Sequence, residues 1–586
     1  MQAGKSEITY RAAVLGILLA LVFGAANAYL GLKVGMTVSA SIPAAVMSMA
    51  ILRGLFRSGT ILENNIVQTI ASAGESLAAG VIFVVPALIF LGLPPSQFVI
   101  FLLAATGGLL GVLLMVPIRR HLIEEEHDHL PYPEGTACAE VLRAGEEGGK
   151  KAKTVFLGLL AGGVFKFLMA GLKVWPERAG LLIRPLSTFL SFDLSPALTG
   201  VGYILGIRIS SLVFAGGFLG WFVLIPLISY FRDIPVLSAD DALTLWSNYV
   251  RYIGAGAVLG GGLASLARTL PAFRGALRVA MEGLRRQGGS IEDLPMTWVF
   301  GGIAGIFLLL FLMPAFHLTF LGALLAIVFA FLFVTVAAWI VGVIGSSQSP
   351  VSAMTIATLL IVSVIFVAVG HIGQAGMVSA LSLGAIVCIA AAISGDTSQD
   401  LKTGFLVGAI PRHQQVAEIV GVLASATIVG WVLFLLDKAY TLGSEALSAP
   451  QATLMSLVVK GVFGGTMPWV LILTGVFLAV FLELLRVPSI SVAIGLYLPL
   501  ELTSSIFLGG VTARILGQRE KGILYTSGLI AGDALIGILI ALLIVSGVPL
   551  RSESLFGVPA AFLAFAFLLG ILGWGVFERE KRGRES

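Results

Sequence analysis

Charged residues are scarce in this chain. Asp, Glu, Lys and Arg make up 12% of its 586 residues, whereas hydrophobic residues make up 58%, and the mean hydropathy is +1.01. Soluble domains carry about 25% charged residues, so this composition excludes both a water-soluble globular protein and a disordered chain. Each membrane helix needs about 20 residues, and about 16 such helices fit in this length. The composition therefore predicts an all-α polytopic protein embedded in a lipid bilayer.

Cysteine is nearly absent as well. Cys138 lies beside a charged segment and Cys388 lies in an apolar run, which argues against a disulfide framework or a cysteine-based metal site. The sequence also lacks a phosphate-binding P-loop, a glycine-rich dinucleotide turn and an HExxH zinc motif. We therefore expect no cofactor and no metal. The net charge of +4 does not indicate a nucleic acid partner, because positive residues in membrane proteins report orientation.

Long apolar runs recur along the whole chain. The first one is interpreted as a membrane span and not as a cleaved signal peptide, since further apolar runs follow it. In the first half they lie near 11–34, 36–54, 62–92, 96–116, 154–174, 196–208, 210–231 and 241–268. In the second half they lie near 297–314, 319–345, 350–370, 376–394, 412–437, 464–485, 488–513 (broken), 521–547 and 556–577. We predict about 16 spans.

Basic residues predict the orientation of these spans. Residues 268–286 contain five arginines, and the positive-inside rule places this segment in the cytoplasm. Eight crossings from a cytoplasmic N-terminus return the chain to that side, and the basic C-terminal tail is cytoplasmic by the same rule. We predict a protein of the cell's inner (plasma) membrane with both termini in the cytoplasm. Its halves are 1–290, with a cytoplasmic loop at 117–153, and 291–586, joined by a linker at 270–295.

Four apolar segments are interrupted by glycine, proline or polar residues. They are 31–41, 202–211, 345–353 and 495–505, two in each half. Irregular backbone at membrane depth requires protein or a water-filled cavity around it, and paired interruptions in two halves indicate a transporter's binding site at the midplane. The alternative explanation is close packing of glycine-rich helices. We predict discontinuous or re-entrant helices at these four places.

Two polar stripes lie within apolar segments. The first consists of Asn64, Gln68, Ser72 and Glu75, and the second of Asp396, Gln399, Asp400 and Thr403. Each set is spaced to share one face of a helix. Such a face avoids lipid, so each helix is expected to line a wet cavity or a polar seam. Small residues surround Glu75 and leave room for water or a substrate amine, and Glu75 is therefore the predicted proton carrier.

Further ionisable residues lie in the predicted spans. A charge at a helix centre costs about 2.5–3.5 kcal/mol, so these residues are expected to face the protein interior. They are Lys33, Lys166, Arg208, Glu483, Arg486, Glu501 and Asp533. Glu483 and Arg486 are spaced to neutralise each other near a helix end. The acidic and histidine residues of 124–129 are interpreted as a solvated loop.

Four sequence blocks resemble the oligopeptide transporter (OPT) family. They are NAYLGLKVGMTVSASIP at 27–43, ENNIVQTIASAGES at 63–76, PYPEGTACAEVL at 131–142 and SGDTSQDLKTG at 394–404. The chain resembles the prokaryotic and yellow-stripe-like branch more than the fungal peptide branch, whose Asn-Pro-Gly signature is absent. The resemblance implies a proton-coupled importer of short peptides, glutathione-like thiol peptides or metal chelates, whose spans arose by duplication.

We therefore predict a proton-coupled symporter that imports short oligopeptides, peptide-like compounds or metal chelates by alternating access, with no enzymatic activity. The predicted proton-coupling residues are Glu75, Asp396 and Glu501. The predicted substrate-binding residues are Asn27, Tyr29, Lys33, Asn64, Gln68, Arg208, Gln348, Gln399, Asp400 and Tyr497. The coupling ion is a proton, and we allow for a homodimer.

Two other functions stay open at this point. A passive channel would share the spans but would need no titrating residue coupled to substrate movement. An intramembrane aspartyl protease would use two aspartates that share one proton, and Asp396 and Asp533 each follow a glycine in an apolar run. That match is only two residues long at each position, and a protease has no need for so many spans.

Overall fold

The computed structural model describes most of the chain. The described residues are 7–37, 39–54, 59–127, 129–145, 150–264, 292–346, 349–464, 468–548, 551 and 553–577. Among the predicted site residues, Gln348 lies outside the described residues. Most of the predicted linker at 270–295 lies outside them as well.

Helices account for most of the described residues. In the first half they are α1 (Tyr10–Val34), α2 (Ser41–Gly54), α3 (Ile61–Phe90), α4 (Gln97–Arg119), α5 (Pro133–Gly145), α6 (Lys150–Lys166), α7 (Pro196–Phe218), α8 (Ile225–Arg232), α9 (Ala239–Leu245) and α10 (251–264). In the second half they are α11 (Met296–Leu312), α12 (Phe320–Ile344), α13 (Val351–Ala368), α14 (Gly373–Val407), α15 (Pro411–Tyr440), α16 (Pro450–Val462), α17 (Trp469–Leu484), α18 (Ser489–Tyr497), α19 (Leu500–Leu516), α20 (Glu520–Val545) and α21 (Val558–Phe577). The π-helical turns Arg120–Glu125, Phe167–Gly171, Leu219–Leu224 and Trp246–Val250 extend α4, α6, α7 and α9.

The apolar helices confirm the predicted class, an all-α polytopic membrane protein. Within the described residues, ten helical segments are long and apolar enough to cross a membrane. Ser41–Gly54, Met296–Leu312, Trp469–Leu484 and Val558–Gly570 are apolar but shorter. The total of about 16 spans stays a prediction.

Two features of the fold lie in segments that the sequence predicts as connections. An antiparallel hairpin of β1 (Arg178–Ile183) and β2 (Thr188–Asp193) pairs Arg178 with Asp193 and Ile183 with Thr188. Helix α5 lies within the predicted loop at 117–153, and its Cys138 is fully buried. Both segments are too short to give a span-length apolar signal, and they are held instead by contacts with distant helices.

The described residues form two compact units, and each unit combines parts of both sequence halves. Unit 1 comprises the described residues of Met1–Ala152, Ser265–Asp437 and Gln451–Met467. Unit 2 comprises those of Lys153–Ala264, Lys438–Pro450 and Pro468–Ser586. The division into halves at about residue 290 stays a prediction about sequence duplication, and the compact units divide the chain differently.

All four predicted interruptions are present in the backbone. Helix α1 ends at Gly35, which has φ 76°, and α12 ends at Gly345, which has φ 91°. Both values lie in the region that favours glycine. Helices α18 and α19 are separated by Leu498 and Pro499. The fourth interruption is Gly206, whose φ of 74° and ψ of 171° divide α7 into two helical arms.

Helix α7 is kinked at Gly206. In the first arm of α7, the Tyr203 hydroxyl donates to the carbonyl of Gly517, 2.8 Å away, at the end of α19. In the second arm, Ser210 packs against Gly510, and Gly217 packs against Thr503, progressively earlier in α19. The kink lies close to the predicted boundary between the segments 196–208 and 210–231, and their separate crossing of the membrane stays a prediction.

A buried ion network fixes the end of α4 in unit 1. Arg119 is 1% exposed and forms ion pairs with Asp293, at 2.6 Å, and with Glu124, at 2.7 Å. Asp293 also accepts a hydrogen bond from Gln415 at 2.7 Å, which ties α15 to the same point. The network joins three segments that are far apart in sequence.

Replacing Arg119 by Met is expected to lower the free energy of unfolding by about 3–5 kcal/mol, because Asp293 would remain buried without its cation. The matched control is Arg120→Met, since Arg120 is 60% exposed and such a surface change should stay within about 0.5 kcal/mol. Thermal unfolding of the two purified variants in detergent gives the comparison. Equal melting temperatures for both variants would contradict a stabilising network at Arg119.

Candidate functional site

The two polar stripes face each other across the contact between α3 and α14. The Gln68 side-chain amide donates a hydrogen bond to Asp400 Oδ1. One turn further along α3, Ser72 Oγ donates to Asp396, at 2.8 Å from Oδ1 and 2.7 Å from Oδ2. All four side chains are buried. The helical spacing of each stripe therefore places its polar groups in a seam inside unit 1.

Glu75 continues this seam toward the interruption between α1 and α2. Its side chain is 5% exposed, and Asn27 of α1 donates its amide N–H to Glu75 Oε1. The backbone N–H of Ala40 donates to Oε2 at 3.3 Å. Ala40 immediately precedes α2, so a main-chain donor at a helix N-terminus binds the carboxylate, as such termini commonly do.

Two serine hydroxyls lie between the start of α2 and the second stripe. Ser41, the first residue of α2, has its Oγ 2.7 Å from Ser72 Oγ, and Ser72 in turn donates to Asp396. Polar groups therefore follow one another from the carboxylate at the α1–α2 interruption to the carboxylates of α14.

Glu418 of α15 belongs to the same seam, although it is part of neither polar stripe. It is fully buried, and neither of its carboxylate oxygens has a hydrogen-bond partner among the described residues. The only sequence signal is an isolated acidic residue in the interior of the predicted span 412–437. That signal lacks the helical repeat that marks the two stripes.

Asp396, Asp400 and Glu418 form a compact cluster of carboxylates. One oxygen from each lies within 4.8 Å of the others. Carboxylates this close repel one another when all are ionised, so they share protons or a cation. Within the described part of the chain, these three carboxylates are close enough together to hold a cation between them.

Unit 2 contains a second group of charged residues around the interruption between α18 and α19. Arg251 Nε donates to the Tyr497 hydroxyl at 3.0 Å, on the α18 side of the break. Arg178 Nε lies 3.2 Å from Glu501 Oε1, on the α19 side. Burial lowers the pKa of Arg178, but Glu501, Asp193 and Glu445 outweigh that effect and leave the pKa above its ordinary value. Arg178 therefore keeps its charge.

Similarity to known sequences identifies the family. The family model described as OPT oligopeptide transporter protein matches residues 7–544. The chain belongs to the OPT family. The sequence resemblance is thereby confirmed, and this OPT protein is a multi-pass membrane protein of a transporter family.

Relatives of this OPT protein are found in bacteria and plants. A Haemophilus influenzae protein, named as a candidate oligopeptide transporter, is 35% identical over 89% of this chain and 93% of its own length. A probable metal-nicotianamine transporter of Oryza sativa is 26% identical over 73% of this chain and 67% of its own length. An iron-phytosiderophore transporter of the same plant is 24% identical over 76% and 74% of the respective chains.

Two residues predicted to bind substrate in this OPT protein have contacts that brace helices. Gln399 accepts a hydrogen bond from the Gly135 N–H at 2.6 Å and donates to the Val341 carbonyl at 3.2 Å. Asn64 accepts from Ser48 Oγ at 2.7 Å. These contacts join α5 and α12 to α14, and α2 to α3. The stripe pattern in the sequence does not distinguish such a packing role from substrate binding.

The remaining predicted residues occupy different environments. Tyr29 and Lys33 are buried near the end of α1, close in sequence to the interruption that contacts Glu75. Arg208 is exposed in the second arm of α7, two residues after Gly206. Tyr497 and Glu501 belong to unit 2, so they are not part of the seam in unit 1. Their roles in binding or proton coupling stay predictions.

The two aspartates of the protease alternative have separate local partners. Asp533 accepts hydrogen bonds from Ser195 Oγ at 2.7 Å and from the Ala197 N–H at 3.0 Å. It thereby caps the start of α7 within unit 2. Asp396 is bound by Ser72 in unit 1. Each contact gives the aspartate a role within its own unit, and neither requires the other aspartate.

Proposed function

We propose that this OPT protein is a proton-coupled symporter that imports short oligopeptides or amino-acid-derived metal chelates by alternating access. The observation that carries the proposal is the buried seam of Glu75, Asp396, Asp400 and Glu418. Ionisable groups inside a membrane protein are costly and usually functional, and reversible protonation of these four carboxylates would couple uptake to the proton gradient.

The hydrogen-bond donors around these carboxylates support this proposal. Asn27, Ser72, Gln68 and the Ala40 N–H are all neutral donors. Neutral donors orient a carboxyl group without fixing it in the ionised form, as a bidentate arginine would. A carboxyl group held in this way can gain and lose a proton as water reaches it from one side and then from the other.

The interrupted helices support alternating access. The break between α1 and α2 presents the Ala40 N–H to Glu75. In transporters, broken helices expose main-chain groups at the binding site, and one bundle rocks against the other around it. A displacement of α2 relative to α3 would change the donors around Glu75 and couple its protonation to the access state.

The names of the relatives support the substrate class. Oligopeptides, metal-nicotianamine and iron-phytosiderophore appear in the names of the related proteins. Peptides and amino-acid-derived chelators both carry amino and carboxylate groups. We therefore propose a substrate that carries both groups.

Reconstitution in liposomes tests the proposed function. We expect uptake above the external concentration when the liposome exterior is acidic, and loss of that accumulation when a protonophore is added. The substrate panel is trialanine, glutathione and iron-nicotianamine, with protein-free liposomes as the control. Uptake that reaches the external concentration at the same rate with and without the gradient would indicate a passive channel and overturn the proposal.

A further inference from the structure

Unit 2 contains a cavity that the proposed proton pathway does not use. Its volume is about 570 Å³, within the range of small-molecule binding sites. It is lined by the start of β1, the junction of α9 and α10, and residues 443–446 of the connection that follows α15. The predicted orientation places the hairpin and the connections before α9 and after α15 on the outer side of the membrane, which is the side from which an importer takes its substrate.

Opposite charges line this cavity. Arg178 and Arg251 contribute two guanidinium groups, and Asp240 and Glu445 contribute two carboxylates. Arg178 and Glu445 form an ion pair with an N–O distance of 2.6 Å, and their side chains are 36% and 37% exposed. A ligand that enters the cavity can therefore reach both members of this pair.

Arg251 is held in a fixed orientation. Its guanidinium carbon lies 5.7 Å from the ring centre of Trp246 and 5.4 Å from that of Tyr497, distances typical of cation–π contacts. Its Nε donates to the Tyr497 hydroxyl, Nη1 donates to the Gly443 carbonyl at 3.3 Å, and Nη2 donates to the Ser448 carbonyl at 3.5 Å. These contacts orient a cationic group with five N–H donors, which suits it to bind a carboxylate.

Two residues that line the cavity bind opposite sides of a broken helix. Tyr497, which binds Arg251, is the last residue of α18. Glu501, which pairs with Arg178, lies in the first turn of α19. The groups that a ligand would contact are thus one interaction away from the interruption at Leu498 and Pro499.

We propose that this cavity binds a zwitterionic compound with a free amino group and a free carboxylate. Arg251 binds the carboxylate, and Glu445 binds the ammonium group. The lining supports this ligand class because a simple anion or a simple cation would use only one of the two charge types. A ligand ammonium at Glu445 also competes with Arg178 and shifts Arg178 toward Glu501, so ligand binding acts on the broken helix.

This inference rests on the proposed function for its substrate class, but its test does not depend on proton coupling. Binding is measured by calorimetry on the full-length protein in detergent, without any gradient. The probes are trialanine, N-acetyl-trialanine, trialanine amide and metal-free nicotianamine. We expect trialanine or nicotianamine to bind, and we expect each blocked form of trialanine to bind at least tenfold more weakly than trialanine. The ratio of the affinities for trialanine and nicotianamine shows whether the cavity prefers peptides or chelators.

Two variants test which residue of the cavity binds each end of the ligand. Arg251→Met should weaken trialanine binding at least tenfold and abolish the difference between trialanine and its amide. Glu445→Gln should abolish the difference between trialanine and its N-acetyl form. The control is Arg184→Met, because Arg184 is exposed at the tip of the hairpin and is not among the residues that line the cavity.

Several results would overturn the inference. The first is that neither trialanine nor nicotianamine binds, and the second is that blocked and unblocked trialanine bind equally. The third is that the Arg251→Met variant binds trialanine as tightly as the Arg184→Met variant does. If Arg251→Met melts far below Arg184→Met, the comparison is made with Glu445→Gln alone. Failure of gradient-driven uptake with intact binding would instead contradict the proposed function and leave this site in place.

Discussion

Glu75→Gln is expected to abolish gradient-driven accumulation while exchange of substrate across the membrane persists. Glutamine keeps the shape of the side chain and removes its titration. At 100 mV, one proton supplies about 2.3 kcal/mol, which corresponds to about fortyfold accumulation at 1.4 kcal/mol per tenfold. In the variant this ratio should fall to about one. Liposomes with an imposed gradient measure accumulation, and preloaded liposomes without a gradient measure exchange.

The Glu75→Gln variant is expected to fold, because the groups around residue 75 can also bind a glutamine side chain. Asn27 and the Ala40 N–H both donate to the carboxylate. In the variant, the glutamine oxygen can accept one of these bonds, and a flipped Asn27 amide can accept from the glutamine N–H. The control is Glu140→Gln, since Glu140 is exposed on α5. Proton-driven accumulation that matches this control would rule out Glu75 as the carrier and direct attention to Asp396, Asp400, Glu418 and Glu501.

Gly495→Ala is expected to destabilise unit 2 by about 3 kcal/mol or more, at the upper end of overpacking effects. A methyl group on Gly495 of α18 would lie 1.8 Å from the Val213 carbonyl oxygen in the second arm of α7. The reciprocal contact is as close, since a methyl group on Gly216 would lie 1.9 Å from the Val492 carbonyl oxygen. The obstacles are backbone atoms, so a side-chain rotation cannot relieve the clash.

The comparison for this prediction is Gly305→Ala. Gly305 lies in α11, and a methyl group there would meet no atom within 4 Å, so the variant should melt within a few degrees of the unmodified protein. Thermal unfolding in detergent and the yield of monodisperse protein are measured for both. If Gly495→Ala also melts at the unmodified temperature, the approach of α7 and α18 is not as close as described.

The features that the sequence predicted well depend on local spacing. The apolar runs predicted helices, and glycine and proline predicted the interruptions at Gly35, Gly206, Gly345 and Pro499, because these residues determine backbone conformation where they stand. The stripes predicted which faces of α3 and α14 carry polar groups, because helical geometry relates residues three and four positions apart.

The features that the sequence did not predict depend on contacts between distant segments. Glu418 joins the seam because α15 places it beside α14, and one acidic residue in an apolar run carries no such information. Arg178 and Glu445 lie 267 positions apart, and the cavity that they line exists only in the folded chain. The division into two interleaved units has the same origin.

The interleaving of the units has a consequence for synthesis. Gln68 and Asp400 are separated by 332 positions, and at about 5–20 residues per second the ribosome needs roughly 20–60 s to make the intervening chain. During that interval α3 has entered the membrane without the helix that covers its polar face. Helices α1 and α2, which are made before α3, provide partners for Glu75 and Ser72, whereas Gln68 waits for Asp400 of α14.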